Sequence, residues 1–432
     1  MIKTKTDRGA VRHAPVHRSD NPCVALTPGF RSALSSPKAK LRPRPGRSFF
    51  HKRGGIACRS DQRGVSHAAA CGKPTVNRIT PKDIAADGAD DLRTGAHENG
   101  ANALTHNAQS AARLSVAPMM DWTDRHCRYF HRLMSREVLL YTEMVTSPAL
   151  VRGGALHLLD HDDTEHPVAL QLGGSDPKEL AAATTLCVER GYDEVNLNVG
   201  CPSDRVQSGT FGAVLMRNAP LVADCVSAML DASQGVDITV KCRIGVDDQT
   251  AEEVLPDFLE KISATGVMRI TIHARKAWLK GLSPKENRDI PPLDYPLVYR
   301  MKQQFPHLHL SINGGITTLE EAQDHLTRMD GVMIGRAAYH SPGEVLLTAD
   351  RDIYHADVKP KSGHQVVEEM YPYIESQLAQ GLRLNAITRH MLGLFSGRPG
   401  ARMWRRSLSE EAHKSGAGID VVQKALSYVP ET

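Results

Sequence analysis

No stretch of this 432-residue sequence approaches the roughly 18 to 20 consecutive apolar residues of a membrane-spanning helix, and its start has no apolar run of signal-peptide type. No two of its eight cysteines form a C-x-x-C pair, so neither a zinc knuckle nor a disulfide framework is signalled. Scattered free thiols suit a reducing compartment, and the expected setting is cytoplasmic, away from membranes. Acidic residues are scarce at one end: residues 1 to 80 hold 17 Lys and Arg against 3 acidic residues, a balance of +14. That leaves −10 for the rest of a chain whose formal charge is +4. An acidic body does not attract nucleic acid through its overall charge, so DNA is not an expected partner, and any RNA contact needs a local basic surface.

Residues 1–112 are rich in Arg, Ser, Pro, Gly and Ala without strand or helix periodicity. They cannot bury enough apolar surface to offset chain entropy, and they read as a disordered basic extension. The first 80 residues are also similar to an organelle transit peptide, although the long amphipathic stripe of such a segment is missing. An over-extended reading frame explains the composition equally. If translated, the extension adds nonspecific, salt-sensitive affinity for RNA.

From Arg113 the texture changes to short apolar runs, each followed by a helix-length segment, the pattern of parallel βα units. Eight runs are present: 114–117, 138–142, 167–172, 194–198, 238–242, 268–272, 308–312 and 331–334. Runs apolar on both faces suit a buried parallel sheet. Eight of them, with no G-x-G-x-x-G turn after the first, favour an α/β fold of the (β/α)₈ TIM-barrel type over a doubly wound sheet. The catalytic barrel is expected over 113–344. Beyond it, Val367, Met370, Ile374 and Leu378 recur at helical steps and predict a helix over 365–379 within a helical domain over 345–432. A monomer is the expected state.

Barrel active sites lie at the C-terminal ends of the strands, and chemistry-bearing residues collect there. The runs end in Ala117-Pro118-Met119, Gln171-Leu172-Gly173, Asn198-Val199-Gly200-Cys201, Lys241-Cys242-Arg243, His273-Ala274-Arg275, Asn313-Gly314-Gly315 and Gly335-Arg336. The last two bare backbone N–H groups at helix starts, where a phosphate can be held. A phosphate there, with Lys, Gln and His on neighbouring rims, suits FMN, whose reduced ring is anionic and whose edge alternates donors and acceptors. Singly, a Gly-Gly pair is ordinarily a turn and a strand-end Lys is ordinarily solvated. Their common rim gives them meaning.

The stretches Ser115-Val116-Ala117-Pro118-Met119, Asp121-Trp122-Thr123-Asp124, Tyr141-Thr142-Glu143-Met144 and Asn196-Leu197-Asn198-Val199-Gly200-Cys201-Pro202-Ser203 resemble the tRNA-dihydrouridine synthase family. The resemblance continues through His273-Ala274-Arg275-Lys276-Ala277-Trp278, Ser283 to Arg288, and Ser311 to Ile316, covers about 113–425, and is closest to subfamily A. It implies FMN held by Pro118, Met119, Gln171, Lys241, His273, Asn313, Gly314, Gly315, Gly335 and Arg336. It also implies NADPH as co-substrate, and tRNA uridines 20 and 20a reduced at C5–C6. Cys201 matches the family's proton donor. A cysteine thiol is mostly protonated at neutral pH, able to protonate carbon in an enclosed site, and adds no charge beside a flavin. Asn198, Lys285, Arg288, Arg402 and Arg405 fall at tRNA contacts by the same resemblance.

The run Arg398-Pro399-Gly400-Ala401-Arg402-Met403-Trp404-Arg405-Arg406 carries four Arg, one aromatic and no acid, which suits phosphate contact and base stacking. Two rival readings share parts of this pattern. A dihydroorotate-dehydrogenase-like reductase of small pyrimidines leaves the Arg-rich tail unexplained. A noncatalytic tRNA-binding protein leaves Cys201 and Lys241 unexplained.

Overall fold

The computed structural model describes residue 108, residues 110–203 and residues 211–431, so the expected N-terminal extension lies almost wholly outside the described residues. Eight parallel strands close into one barrel in sequence order: β1 (Leu114–Val116), β2 (Leu139–Thr146), β3 (Val168–Gly173), β4 (Glu194–Val199), β5 (Asp237–Arg243), β6 (Arg269–His273), β7 (His309–Asn313) and β8 (Gly331–Ile334). β8 pairs back onto β1, with Leu114 opposite Val332. Strand ends agree with the sequence reading to within one residue, except that β2 runs on to Thr146. The register of β2 against β3 shifts between Tyr141 and Met144, and the Thr142 hydroxyl accepts from Gln171 N at 3.1 Å. A bulge of this kind re-aims side chains beside a site.

The inner face departs from the expectation of runs apolar on both sides. Val195, Leu197 and Val199 of β4 join the large core between strands and helices, while the alternate residues Glu194, Asn196 and Asn198 are buried and hydrogen-bond across the barrel interior. Inside, the apolar cluster among the described residues is small, made of Ala111, Ala112, Ala117, Leu139, Tyr141, Ala169 and Met333. The packed body therefore starts upstream of the expected boundary at 113. Ala108 and Ala111 are buried, and the Ala108 carbonyl accepts from Arg269 at 3.1 Å.

The first barrel helix, α1 (Arg125–Met134), is capped by Asp124, which accepts from the N–H groups of His126 and Cys127. The same carboxylate accepts from Arg389 and lies 3.1 Å from His390 Nε2. Burial, which raises its pKa, is outweighed by the hydrogen bond and charge of His390, and the group is held well below the usual carboxylate range. Tyr129 of α1 stacks on Tyr373, with ring centroids 3.9 Å apart. The C-terminal helices α2 (Gly363–Glu369), α3 (Tyr371–Ala379), α4 (Leu384–Thr388), α5 (Ala401–Glu411) and α6 (Ile419–Leu426) share one continuous apolar core with the barrel, through residues such as Val367, Ile374, Phe395 and Trp404. The helix expected over 365–379 is divided at Met370, because Pro372 has no N–H to continue the ladder. Among the described residues no helix is long and apolar enough to cross a membrane.

Candidate active site

At the end of β4 the Asn198 side chain builds a turn. Its Oδ1 accepts from Gly200 N at 3.1 Å and Cys201 N at 2.9 Å, and its Nδ2 donates to Gln171 Oε1 at 2.7 Å. Gln171, buried, passes its own Nε2 to Asn196 Oδ1 at 2.8 Å. Each amide keeps one proton, and Gln171 one lone pair, for a further partner. Cys201 is partly buried and donates its thiol toward Ser203 Oγ at 3.6 Å. Its carbonyl accepts from Ala213 N at 2.9 Å; residues 204–210, between the two, are outside the described set.

The neighbouring rim is cationic. Lys241 donates from Nζ to Asn313 Oδ1 at 3.0 Å, and Asn313 in turn donates to the Met333 carbonyl at 2.7 Å. Burial, then the Arg243 charge, brings the Lys241 ammonium down to about 8. Arg243 is also buried, and burial lowers it to about 10. It donates to the carbonyls of Gly200, Lys276 and Asn287 at 2.9, 3.0 and 3.0 Å, so it fastens the Cys201 loop to the segment after β6. His273 is pushed well below its usual range by burial, then by the charges of Arg243, Lys241, Arg275 and Arg288. It is a neutral ring, and its buried Nε2 has no partner among the described residues.

β7 leads into Gly314 and Gly315, at φ +112° and +78°. A Cβ on Gly314 would lie 2.7 Å from the His273 ring, and one on Gly315 2.6 Å from Leu293, so only glycine fits there. Tyr295 holds the turn by donating to the Gly314 carbonyl at 2.6 Å. The N–H groups of Gly314, Gly315 and Gly335 donate to no backbone carbonyl among the described residues. A Cβ on Gly335 would come no closer than 3.7 Å to Ala117 and 3.9 Å to Met119 Sδ, so the protein leaves the space above it open. Pro118 and Met119 line the same end of β1 and are partly exposed. The Arg336 guanidinium is committed to Asp289, at 2.6 and 3.3 Å. Residue 336 places its backbone N–H at the start of a short helix, Arg336–His340.

Among the described residues, an orphaned ring nitrogen, an ammonium without a carboxylate, free N–H groups and an open cradle are what an anionic, planar, hydrogen-bonding cofactor would complete, and the residues present fit FMN. No cluster of His, Cys, Asp and Glu suited to a metal is found among the described residues.

Of the residues expected at RNA contacts, Lys285 and Arg288 are exposed on the segment following β6. Arg402 and Arg405 are exposed on α5 with no ion pair among the described residues. Asn198 differs from them: it is buried, and its bonds hold the Cys201 turn and Gln171. The expectation that the aromatic of the Arg-rich run stacks on bases is overturned. Trp404 is 0% exposed, donates to the Met391 carbonyl at 3.1 Å and packs edge-on against Phe395. Ala401, Trp404 and Leu408 form the buried stripe of α5, a spacing readable in the sequence. Arg243, Asn196 and Tyr295 had drawn no role from sequence. For Arg243 the signal was there, since alternation along β5 puts Thr239, Lys241 and Arg243 on one face.

Residues 115–429 match the dihydrouridine synthase (Dus) family, and the chain belongs to that family. It is 59% identical over 329 residues to the tRNA-dihydrouridine(20/20a) synthase of Vibrio vulnificus, covering 76% of this chain and 99% of that one. It is 61% identical over 322 residues to the enzyme of the same name from Escherichia coli, covering 74% and 92%. Among solved structures, an old yellow enzyme homologue from Zymomonas mobilis aligns at 12% identity and a TM-score of 0.42, over 57% of this chain and 90% of that one. That likeness is too remote to bear on function.

Proposed function

We propose that this protein is a tRNA-dihydrouridine synthase that reduces the C5–C6 bond of D-loop uridines 20 and 20a, with FMN as its flavin and NADPH as the source of electrons. The observation that carries the reading is the 59 to 61% identity with tRNA-dihydrouridine(20/20a) synthases over nearly their whole length. The rim of unpaired donors supports it. FMN, when bound, would supply the hydride that reaches C6 of the uracil.

The remaining roles belong to the chain. Gly314, Gly315, Gly335 and the N–H of Arg336 would take the phosphate, with Pro118 and Met119 beside them. Gln171 and Asn313 would meet the ring edge, and the Lys241 ammonium and the neutral His273 ring would hold its electron-rich side. Cys201 Sγ would give its proton to C5. A uracil inside folded RNA is stacked, so it must be drawn out to reach Cys201. Lys285, Arg288, Arg402 and Arg405 would grip phosphates around it, with the helical segment 345–432 as the platform and Asn198 using its remaining amide proton toward the base.

The purified protein should show flavin absorbance that NADPH bleaches and that unmodified tRNA restores. Restoration by free uridine or orotate instead would favour a small-molecule reductase, and a colourless protein a binding module. Mass mapping of tRNA from cells lacking the protein should show loss of dihydrouridine at 20 and 20a, and an unchanged map there would reject the assignment.

A further inference from the structure

A column of side chains links Cys201 to the barrel floor. Cys201 N–H donates to Asn198 Oδ1 (2.9 Å), Asn198 Nδ2 to Gln171 Oε1 (2.7 Å), Gln171 Nε2 to Asn196 Oδ1 (2.8 Å) and Asn196 Nδ2 to Thr239 Oγ1 (2.7 Å). The Thr239 hydroxyl then donates to Glu194. Glu194 is fully buried and paired with Arg269 at 2.6 Å.

Every donor in this column points toward the floor, and its two ends set that sense: the N–H groups of Gly200 and Cys201 can only donate to Asn198, and the carboxylate at the floor can only accept. A carboxylate only accepts, so Thr239 must donate to it and can then accept from Asn196. An amide that turns its NH₂ group downward turns its carbonyl upward. Asn196 therefore shows oxygen to Gln171, Gln171 shows oxygen to Asn198, and Asn198 shows oxygen to the N–H groups of Gly200 and Cys201. With an apolar floor Asn198 would still be held from above, whereas Asn196 would lose its lower acceptor and the Asn196–Gln171 end of the column would have no fixed anchor.

We infer that Glu194 and Thr239 are positioning residues: through Asn196 they anchor from below the column of amides that the Gly200 and Cys201 N–H groups orient from above, and so steady both the hydrogen-bond pattern shown to the flavin edge and the seat of Cys201. Neither residue touches the rim. The flavin half of this inference rests on the function proposed above, whereas the Cys201 half does not.

The test uses the full chain carrying Thr239→Val, which removes the hydroxyl at nearly constant volume, and Thr239→Ser, which restores it. Tyr141→Phe is the control, because Tyr141 donates to the same carboxylate at 2.6 Å but lies off the column. Three quantities are read: the FMN dissociation constant, the absorption spectrum of bound FMN, and the rate of Cys201 alkylation by iodoacetamide resolved by peptide mass. Thr239→Val should weaken FMN about tenfold, the order expected when a buried amide loses its partner, shift the flavin bands and change the alkylation rate severalfold. Thr239→Ser and Tyr141→Phe should stay within about twofold of the parent on all three. The inference falls if Thr239→Val matches the parent, or if Tyr141→Phe or Thr239→Ser reproduces its effects, which would make the floor a matter of stability alone. Should Thr239→Val not fold, Thr239→Ala removes the same hydroxyl without added bulk and is scored the same way. A parent protein that binds no FMN would reject the flavin reading. The alkylation rates would still decide whether the column seats Cys201.

Discussion

The two ends of the barrel handle buried charge in opposite ways. At the floor, Arg269 has Glu194 at 2.6 Å and Asp237 at 3.1 Å, and Glu194 also accepts from Tyr141 and Thr239. At the rim, the Lys241 and Arg243 cations lie beside the neutral His273 ring with no carboxylate against them among the described residues, Asp289 being engaged by Arg336. Burial of an answered charge is a structural device, whereas burial of an unanswered one is a cost that persists where a ligand completes the site. The contrast separates residues that hold the barrel closed from residues that wait for a partner, although all of them are polar, inward-facing and on the same strands.

The strongest way to break this contrast is at Cys201. Cys201→Ala should lower the single-turnover rate of uracil reduction by about 10²- to 10⁴-fold, the range for losing a general acid, with FMN content and thermal midpoint unchanged. Near-normal dihydrouridine formation would remove Cys201 from the mechanism. At the floor the signs should invert: Arg269→Met strands the Glu194 charge and should cost about 3–5 kcal/mol of unfolding free energy, readable by denaturant titration.

Lys241→Met should leave stability intact or improve it, while lowering the midpoint potential of bound flavin by about 30–60 mV, equivalent to a lost interaction of about 1.4–2.8 kcal/mol with the anionic reduced ring. The same residue gives a pH signature. Burial, then Arg243, holds Lys241 at about 8 in the flavin-free protein. The ammonium is thus present below pH 8, affinity for reduced flavin is full there, and it falls as pH rises past 8. Lys241→Met should flatten that profile. The smallest effects belong to α5: Arg402→Ala and Arg405→Ala should each weaken tRNA binding severalfold and reduce the slope of log affinity against log salt by about one, with free-flavin reduction by NADPH unaltered.

Much of this organisation was legible beforehand because the strand period and the residues closing each strand are local signals. The eight strands emerged in order, and Gln171, Cys201, Lys241, His273, Asn313 and the Gly314-Gly315 turn were all placed on one rim by counting from strand ends. What local reading missed was the inner face. Glu194 reads as the polar start of a strand, and only the pairing of β4 with β5 and of β5 with β6 brings it to Thr239 and Arg269. Trp404 illustrates a different failure: its Arg neighbours suggested a nucleic-acid surface, yet Ala401 and Leu408 at helical steps from it marked a buried stripe. Pro372 divides the expected helix, while the apolar periodicity of Val367, Met370, Ile374 and Leu378 runs on across it.

The cap of α1 has a consequence for the order in which the chain is completed. Asp124 sits at the start of the first barrel helix, and its partners Arg389 and His390 are made some 265 residues later. During synthesis the barrel's strands can pair while one of its outer helices still lacks its carboxylate contacts and the stacking of Tyr373 on Tyr129. Closure of the molecule therefore waits on the C-terminal helices, which makes them the last stitch of the barrel body, and a chain cut before residue 345 should be released with its first helix unfinished.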